Sequence, residues 1–232
     1  VVGPPTGFDH RTSRFSVRVC DGPVWALRCS GKGLVATGGA DGTLCVRHVK
    51  SLARRLVAGD AGSSFVVNEN AESISLMGHT GPIIDVSWAE EDDASSSSIL
   101  VSASADATAR VWRVSFEPGP PPLPPREGQS SSSSSFLGSG TLSAQFDMSV
   151  SHGGAAFAAC FVTKNTFATG GMDRMIRLWH LPTRQATSWA HCNDAITAIA
   201  ASKLTRDNKG VLKKRVAVGL RGGQIFGYSM RT

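Results

Sequence analysis

Short apolar and β-branched runs recur along this chain, and each is closed off by Gly, Asp, Asn or Ser. Gly22 to Cys29, Leu34 to Asp41 and Thr43 to Val49 form one group, and Ile83 to Trp88, Ile99 to Ser104 and Ala107 to Val114 a second. Ala156 to Phe161, Thr166 to Thr169 and Met175 to Trp179 follow, then Ala195 to Ala201, Arg215 to Gly219 and Gln224 to Tyr228. No window carries a helical period, so the pattern predicts an all-β fold of short strands. The pairs Gly38-Gly39 and Gly170-Gly171, just before an Asp, suit close backbone approach at a tight turn.

The groups repeat with a fixed internal spacing. A Ser or Thr stands four residues before an Asp, and a Trp six after it: Ser102, Asp106 and Trp112, then Thr169, Asp173 and Trp179. A His precedes each set, His79 and His152. This spacing resembles that of the WD-repeat family, which implies a β-propeller with four strands per blade. In that family the His, Ser/Thr, Asp and Trp hydrogen-bond in series, so these eight residues are expected to be structural tetrads. A first unit keeps Thr37 and Asp41 but has Cys20 at the His position and Arg47 at the Trp position, which leaves a partial tetrad. A fourth is degenerate, with Cys192, Gly222 and Tyr228 in place of His, Asp and Trp.

Four blades are expected near 22–77, 78–150, 152–190 and 191–232, after an N-terminal extension over 1–13. Because about seven blades usually close such a ring, the 232 residues read as part of a longer, seven-bladed propeller. Two insertions, 50–71 and 116–140, interrupt the repeat, and Glu90 to Ser98 lengthens a turn. The second insertion is rich in Pro and Ser, too poor in apolar surface to order itself. Within it Pro121, Pro124 and Arg126 match a polyproline ligand for an SH3 domain; a plain spacer is the other reading.

Five scattered cysteines form no Cys-x-x-Cys pair and no zinc spacing, so buried free thiols in a reducing compartment are expected, with no metal. No apolar run is long enough to span a bilayer, which makes a cytoplasmic location the default reading. The net charge of +6 puts Lys213 to Arg215 and Arg54-Arg55 forward as anion contacts, but without interleaved aromatics nucleic acid is the lesser expectation. No nucleophile elbow, phosphate loop or paired carboxylate is present, and the repeated Asp residues belong to turns. The chain is expected to be neither an enzyme nor a cofactor protein.

By analogy with WD-repeat proteins, a partner would meet positions at fixed offsets from the His and the turn Asp. These are Pro23, Trp25 and Ala40, then Pro82, Ile84 and Ala105, then Phe157 and Met172, then Thr197 and Arg221. Trp25, Ile84, Phe157 and Met172 would form an apolar hot spot, with Arg221 beside it. The competing reading packs Trp25 and Phe157 between blades.

Longer stretches carry a finer resemblance. Gly22 to Leu27, Gly78 to Trp88, Val101 to Trp112, Met172 to Pro182, Ile196 to Ile199 and Val218 to Tyr228 resemble the Rabphilin-like WD-repeat group, whose best-known member is an effector of Rab GTPases on recycling endosomes. The resemblance implies a scaffold in vesicle trafficking, peripheral to endosomal membranes, with trafficking GTPases or tethers as partners. Rab binding in that group lies outside the propeller, so no residue here is assigned to it. A chromatin- or RNA-associated subunit and a ubiquitin-ligase substrate receptor are the alternatives. The Trp-Asp-x-Arg signature of one receptor class is missing at Trp112-Arg113 and Trp179-His180.

Overall fold

In the computed structural model, which describes residues 19–48, 73–90, 97–117, 140–203, 205–206 and 212–231, the apolar runs form antiparallel sheets. Blade 1 is β1 (Val24–Cys29), β2 (Leu34–Gly39), β3 (Leu44–His48) and β4 (Ser73–Leu76), hydrogen-bonded in that order. Blade 2 is β5 (Ile83–Trp88), β6 (Ser97–Ser104), β7 (Thr108–Glu117) and β8 (Thr141–Ser151). Blade 3 is β9 (Ala156–Thr163), β10 (Thr166–Gly171), β11 (Met175–His180) and β12 (Gln185–His191). Blade 4 pairs β13 (Ile196–Ala201), β15 (Leu212–Leu220) and β16 (Ile225–Arg231), with the short β14 (Thr205–Arg206) also on β15. This is a propeller in which β1, β5, β9 and β13 are the inner strands and each packs on the next.

No blade holds a core of its own. One face of blade 1 (Ala26, Leu34, Ala36, Leu44, Val46) buries against Ile83, Val86, Leu100, Trp112 and Val114 of blade 2. The opposite face of blade 2 (Val101, Ala103, Ala109, Val111) meets Phe161 and Phe167 of blade 3. Ala158, Ala168 and Ile176 of blade 3 then meet Ile196, Val216 and Val218 of blade 4. Strand alternation sends successive side chains into the two flanking seams, which is why the runs lack a one-sided pattern.

The inner strands are also joined by polar contacts. Asp85 Oδ2 accepts the Ala159 amide at 3.2 Å, Ser87 Oγ accepts that of Phe161 at 3.2 Å, and Trp88 Nε1 donates to the Arg28 carbonyl at 3.1 Å. Farther out, Asp147 accepts both Arg113 at 3.0 Å and Arg184 at 2.8 Å, linking blades 2 and 3. Buried Lys214 of blade 4 pairs with Glu90 of blade 2.

The strands of blade 2 run past the limits read from composition. Ser97 and Ser98 belong to β6, and Phe116 and Glu117 pair with Leu142 and Thr141 instead of opening a loop. Phe116 is drawn into the sheet because its ring stacks on buried His48 at 4.2 Å. The insertion 50–71 lies outside the described residues, as do Pro121, Pro124 and Arg126 of the SH3 motif.

Candidate functional site

Two hydrogen-bonded networks set the geometry at one end of the propeller. In blade 2, His79 Nδ1 lies 2.8 Å from Asp106 Oδ2, its Nε2 2.8 Å from Ser102 Oγ, and Trp112 Nε1 donates to Ser102 at 3.1 Å. Asp106 Oδ1 accepts the Thr108 amide at 2.9 Å and hydroxyl at 2.7 Å, and Oδ2 accepts the Thr80 amide at 3.1 Å. Burial opposes the charge on Asp106, but the bonds from Thr108, His79 and Thr80 outweigh it and hold its pKa at about 2. Burial keeps the His79 pKa below the ordinary range despite the carboxylate beside it. The neutral ring therefore donates from Nδ1 to Asp106 and accepts from Ser102, leaving the Ser102 oxygen for Trp112.

Blade 3 holds the same residues differently. His152 Nε2 is 2.8 Å from Thr169 Oγ1, and Trp179 Nε1 donates to the same oxygen at 2.8 Å. Arg177 inserts between ring and carboxylate, 2.8 Å from His152 Nδ1 and 2.6 Å from Asp173 Oδ2, while Asp173 stands 3.3 Å from the ring. A guanidinium only donates, so Nδ1 is the acceptor here and the tautomer is the reverse of that in blade 2. Burial again lowers the His152 pKa. Burial works against the Asp173 charge too, yet Arg177 and the Gly153 and Met175 amides hold that pKa low. The matching Arg110 of blade 2 instead lies over the Phe146 ring, 5.9 Å from its centroid.

Blades 1 and 4 keep the turn without the network. Asp41 accepts the Asp21 amide at 2.7 Å and the Thr43 amide at 2.9 Å, and these amides lower its pKa. The Cys20 thiol donates to the Gly22 carbonyl at 3.0 Å, and among the described residues Thr37 reaches only the Cys45 carbonyl, at 3.4 Å. Arg47 Nε is buried with no hydrogen-bond partner among the described residues. In blade 4, Cys192 Sγ lies 3.9 Å from Tyr228 Oη, and Val218 occupies the Ser/Thr position. The missing turn carboxylate is replaced from the opposite loop: Asp194 Oδ1 accepts the Ala195 amide at 2.7 Å and Arg221 at 3.0 Å, with the Gly222 amide also bonded to this carboxylate. No spacing in the sequence marks Asp194 for this role.

The residues set against a partner in the sequence share one backbone feature. Each inner strand carries a register shift at its first turn: Val24/Ala26 in β1, Ile83/Asp85 in β5, Ala156/Ala158 opposite Gly171/Gly170 in β9, and Ile196/Ala198 in β13. The extra residues are Trp25, Ile84, Phe157 and Thr197. A bulge leaves its extra residue out of the ladder, and the four bulges fall at equivalent places near the start of the inner strands. Trp25 is 53% exposed, and neither Trp25 nor Phe157, which is half-buried, belongs to a seam cluster. The turns beside them add Ala40, Ala105, Met172 and Arg221, of which Met172 is 50% exposed.

The five cysteines form no disulfide; Cys45 and Cys192 are buried as expected, but Cys29, near the end of its strand, is exposed. Among the described residues, no three His, Cys, Asp or Glu side chains are grouped to hold a metal, and no helix is long and apolar enough to cross a membrane.

Residues 71–113 and 140–180 match the family described as WD domain, G-beta repeat. Each match joins the outer strand of one blade to the first three strands of the next: β4 with β5 to β7, and β8 with β9 to β11. The sequence repeat is thus offset from the sheet, and every repeat ties two blades together. Propellers of this kind are typically non-catalytic scaffolds for other proteins. With four such sheets about the inner strands and two matched repeats, the chain is a β-propeller that carries WD repeats.

Proposed function

We propose that this chain is a non-catalytic scaffold that docks protein partners on the mouth formed by Trp25, Ile84, Phe157 and Met172, with Arg221 at its edge, in Rab-linked vesicle trafficking. The row of four inner-strand bulges carries the docking reading. The packing of the seams does not use Trp25, and a half-exposed Trp on blade 1 and a half-exposed Met172 on blade 3 suit interface anchors. The trafficking setting rests on the Rabphilin-like stretches, above all Gly78 to Trp88 and Val101 to Trp112.

Capture from cytosol with the whole chain and with its Trp25→Ala variant tests this. Loss of a trafficking GTPase or tether in the variant, with thermal unfolding unchanged, is the expected result. Partners indifferent to the substitution overturn the mouth as the site. Complexes removed by nuclease and salt would instead favour a chromatin- or RNA-associated subunit.

A further inference from the structure

The mouth is not uniform around its circumference. Over blades 1 and 2 the bulge residues are Trp25 and Ile84, and the turns are Ala40-Asp41-Gly42 and Ala105-Asp106-Ala107, whose aspartates are bonded inward to backbone amides. Asp21, exposed beside Cys20, lies on the same side. Blades 3 and 4 differ at the equivalent places, with Arg174 following the turn Asp and Arg221 preceding Gly222.

The turn fixes the backbone of Arg174, and an ion pair holds the side chain of Arg221. The residue after the turn Asp takes a left-handed conformation in every blade: Gly42 (φ 83°), Ala107 (φ 66°), Arg174 (φ 61°) and Gly223 (φ 83°). Glycine suits this conformation, and a residue with a Cβ is strained in it, so Arg174 stands exposed at a position that local stability alone would give to glycine. Arg221 is anchored by one nitrogen, 3.0 Å from Asp194 Oδ1, with its side chain 64% exposed. The Asp194 charge is already met by the Ala195 and Gly222 amides, so the outward donors of the guanidinium remain open to a second anion.

We propose that the mouth takes an extended acidic peptide in one direction: an aromatic or aliphatic anchor over Trp25 and Ile84, and one or two carboxylates beyond it over Arg174 and Arg221. This rests on the docking reading above. Charge complementarity sets the direction, because the two guanidinium groups attract the carboxylates to blades 3 and 4.

The test uses the whole chain on an array of decapeptides built from Gly and Ser, each with one Phe or Leu and two Glu at varied separations, beside matched Gln and Lys versions. Wild type should bind the Glu peptides at least tenfold more tightly than the Gln peptides, with the margin shrinking as salt is raised. The double variant Arg174→Glu/Arg221→Glu should transfer the preference to the Lys peptides, and Arg174→Gly/Arg221→Gln should abolish any preference while anchor binding persists. Equal binding of Glu and Gln peptides by wild type, or a Glu preference that survives charge reversal, overturns this proposal and leaves the docking reading in place. If wild type binds no peptide, both fall.

Discussion

Blades 2 and 3 close a four-residue network around a buried hydroxyl, whereas blade 1 forms its four strands, and blade 4 its three long ones, without such a network. The difference lies in what each can lose. In blade 2 the Ser102 hydroxyl serves both His79 and Trp112, so it sits at the centre of three buried polar groups. In blade 1 the Thr37 hydroxyl has a single long bond to a carbonyl, and in blade 4 Val218 has none to make. A propeller blade therefore does not need the network to form. Seam packing forms the sheet, and the network makes two of the four sheets intolerant of substitution.

The widest gap should follow from removing the central hydroxyl. Ser102→Ala leaves His79 Nε2 and the Trp112 indole N–H without partners and should lower stability by about 2–4 kcal/mol, while Thr37→Ala should cost under about 1 kcal/mol. Urea unfolding of the two variants measures this directly. Equal losses would mean that seam packing, not the network, decides both.

Next come the penultimate residues of β10 and β15, both of them glycine. A Cβ on Gly170 would lie 2.8 Å from Ile196 Cγ2 across the seam, whereas one on Gly219 would meet Ala198 Cβ at an ordinary 3.6 Å. Gly170→Ala should cost about 1–3 kcal/mol by overpacking, and Gly219→Ala should stay within about 0.5 kcal/mol. Differential scanning calorimetry would separate them.

Acid should act on blades 2 and 3 first. His79 and His152 are buried neutral with pKa values below that of the unfolded chain, so the unfolded state binds more protons as pH falls below about 6.5, and stability is lost from there downward. Asp106, at about 2, and Asp173, also lowered, add a second loss as pH falls below the ordinary carboxylate range. Asp85 works the other way: burial raises its pKa, so protonation relieves a cost and partly offsets that second loss. Urea midpoints from pH 7.5 to 3 should show the two-stage decline, and His79→Gln should flatten its first stage. An unchanged slope would remove the imidazole from the account.

The smallest effect is expected at the strained turn position. Ala107→Gly should raise stability by about 0.5–1 kcal/mol, because glycine takes a φ of 66° without the Cβ penalty, and the gain should appear as a higher melting temperature.

Much of this was legible before any coordinates. The offset between Ser102, Asp106 and Trp112 is set by a tight turn between neighbouring strands, so it survives as a spacing in the chain. The mouth residues were legible only as offsets from such landmarks, since nothing in the sequence marks a bulge at Trp25 or Thr197. Arg177 entering the blade 3 network, Asp194 replacing a turn carboxylate, and Asp147 gathering Arg113 and Arg184 carried no pattern at all, because their partners lie in other strands or other blades.

The sequence by itself determined the strands, the turns, the two complete tetrads and the offset repeat, because these depend on contacts within a few tens of residues at fixed spacing. Tertiary structure alone decided which face of each blade meets its neighbour, which tautomer each histidine adopts, and that all four inner strands bulge at the same place. Those outcomes depend on how separate sheets pack and on which charge desolvation leaves beside another, and neither is encoded in local spacing.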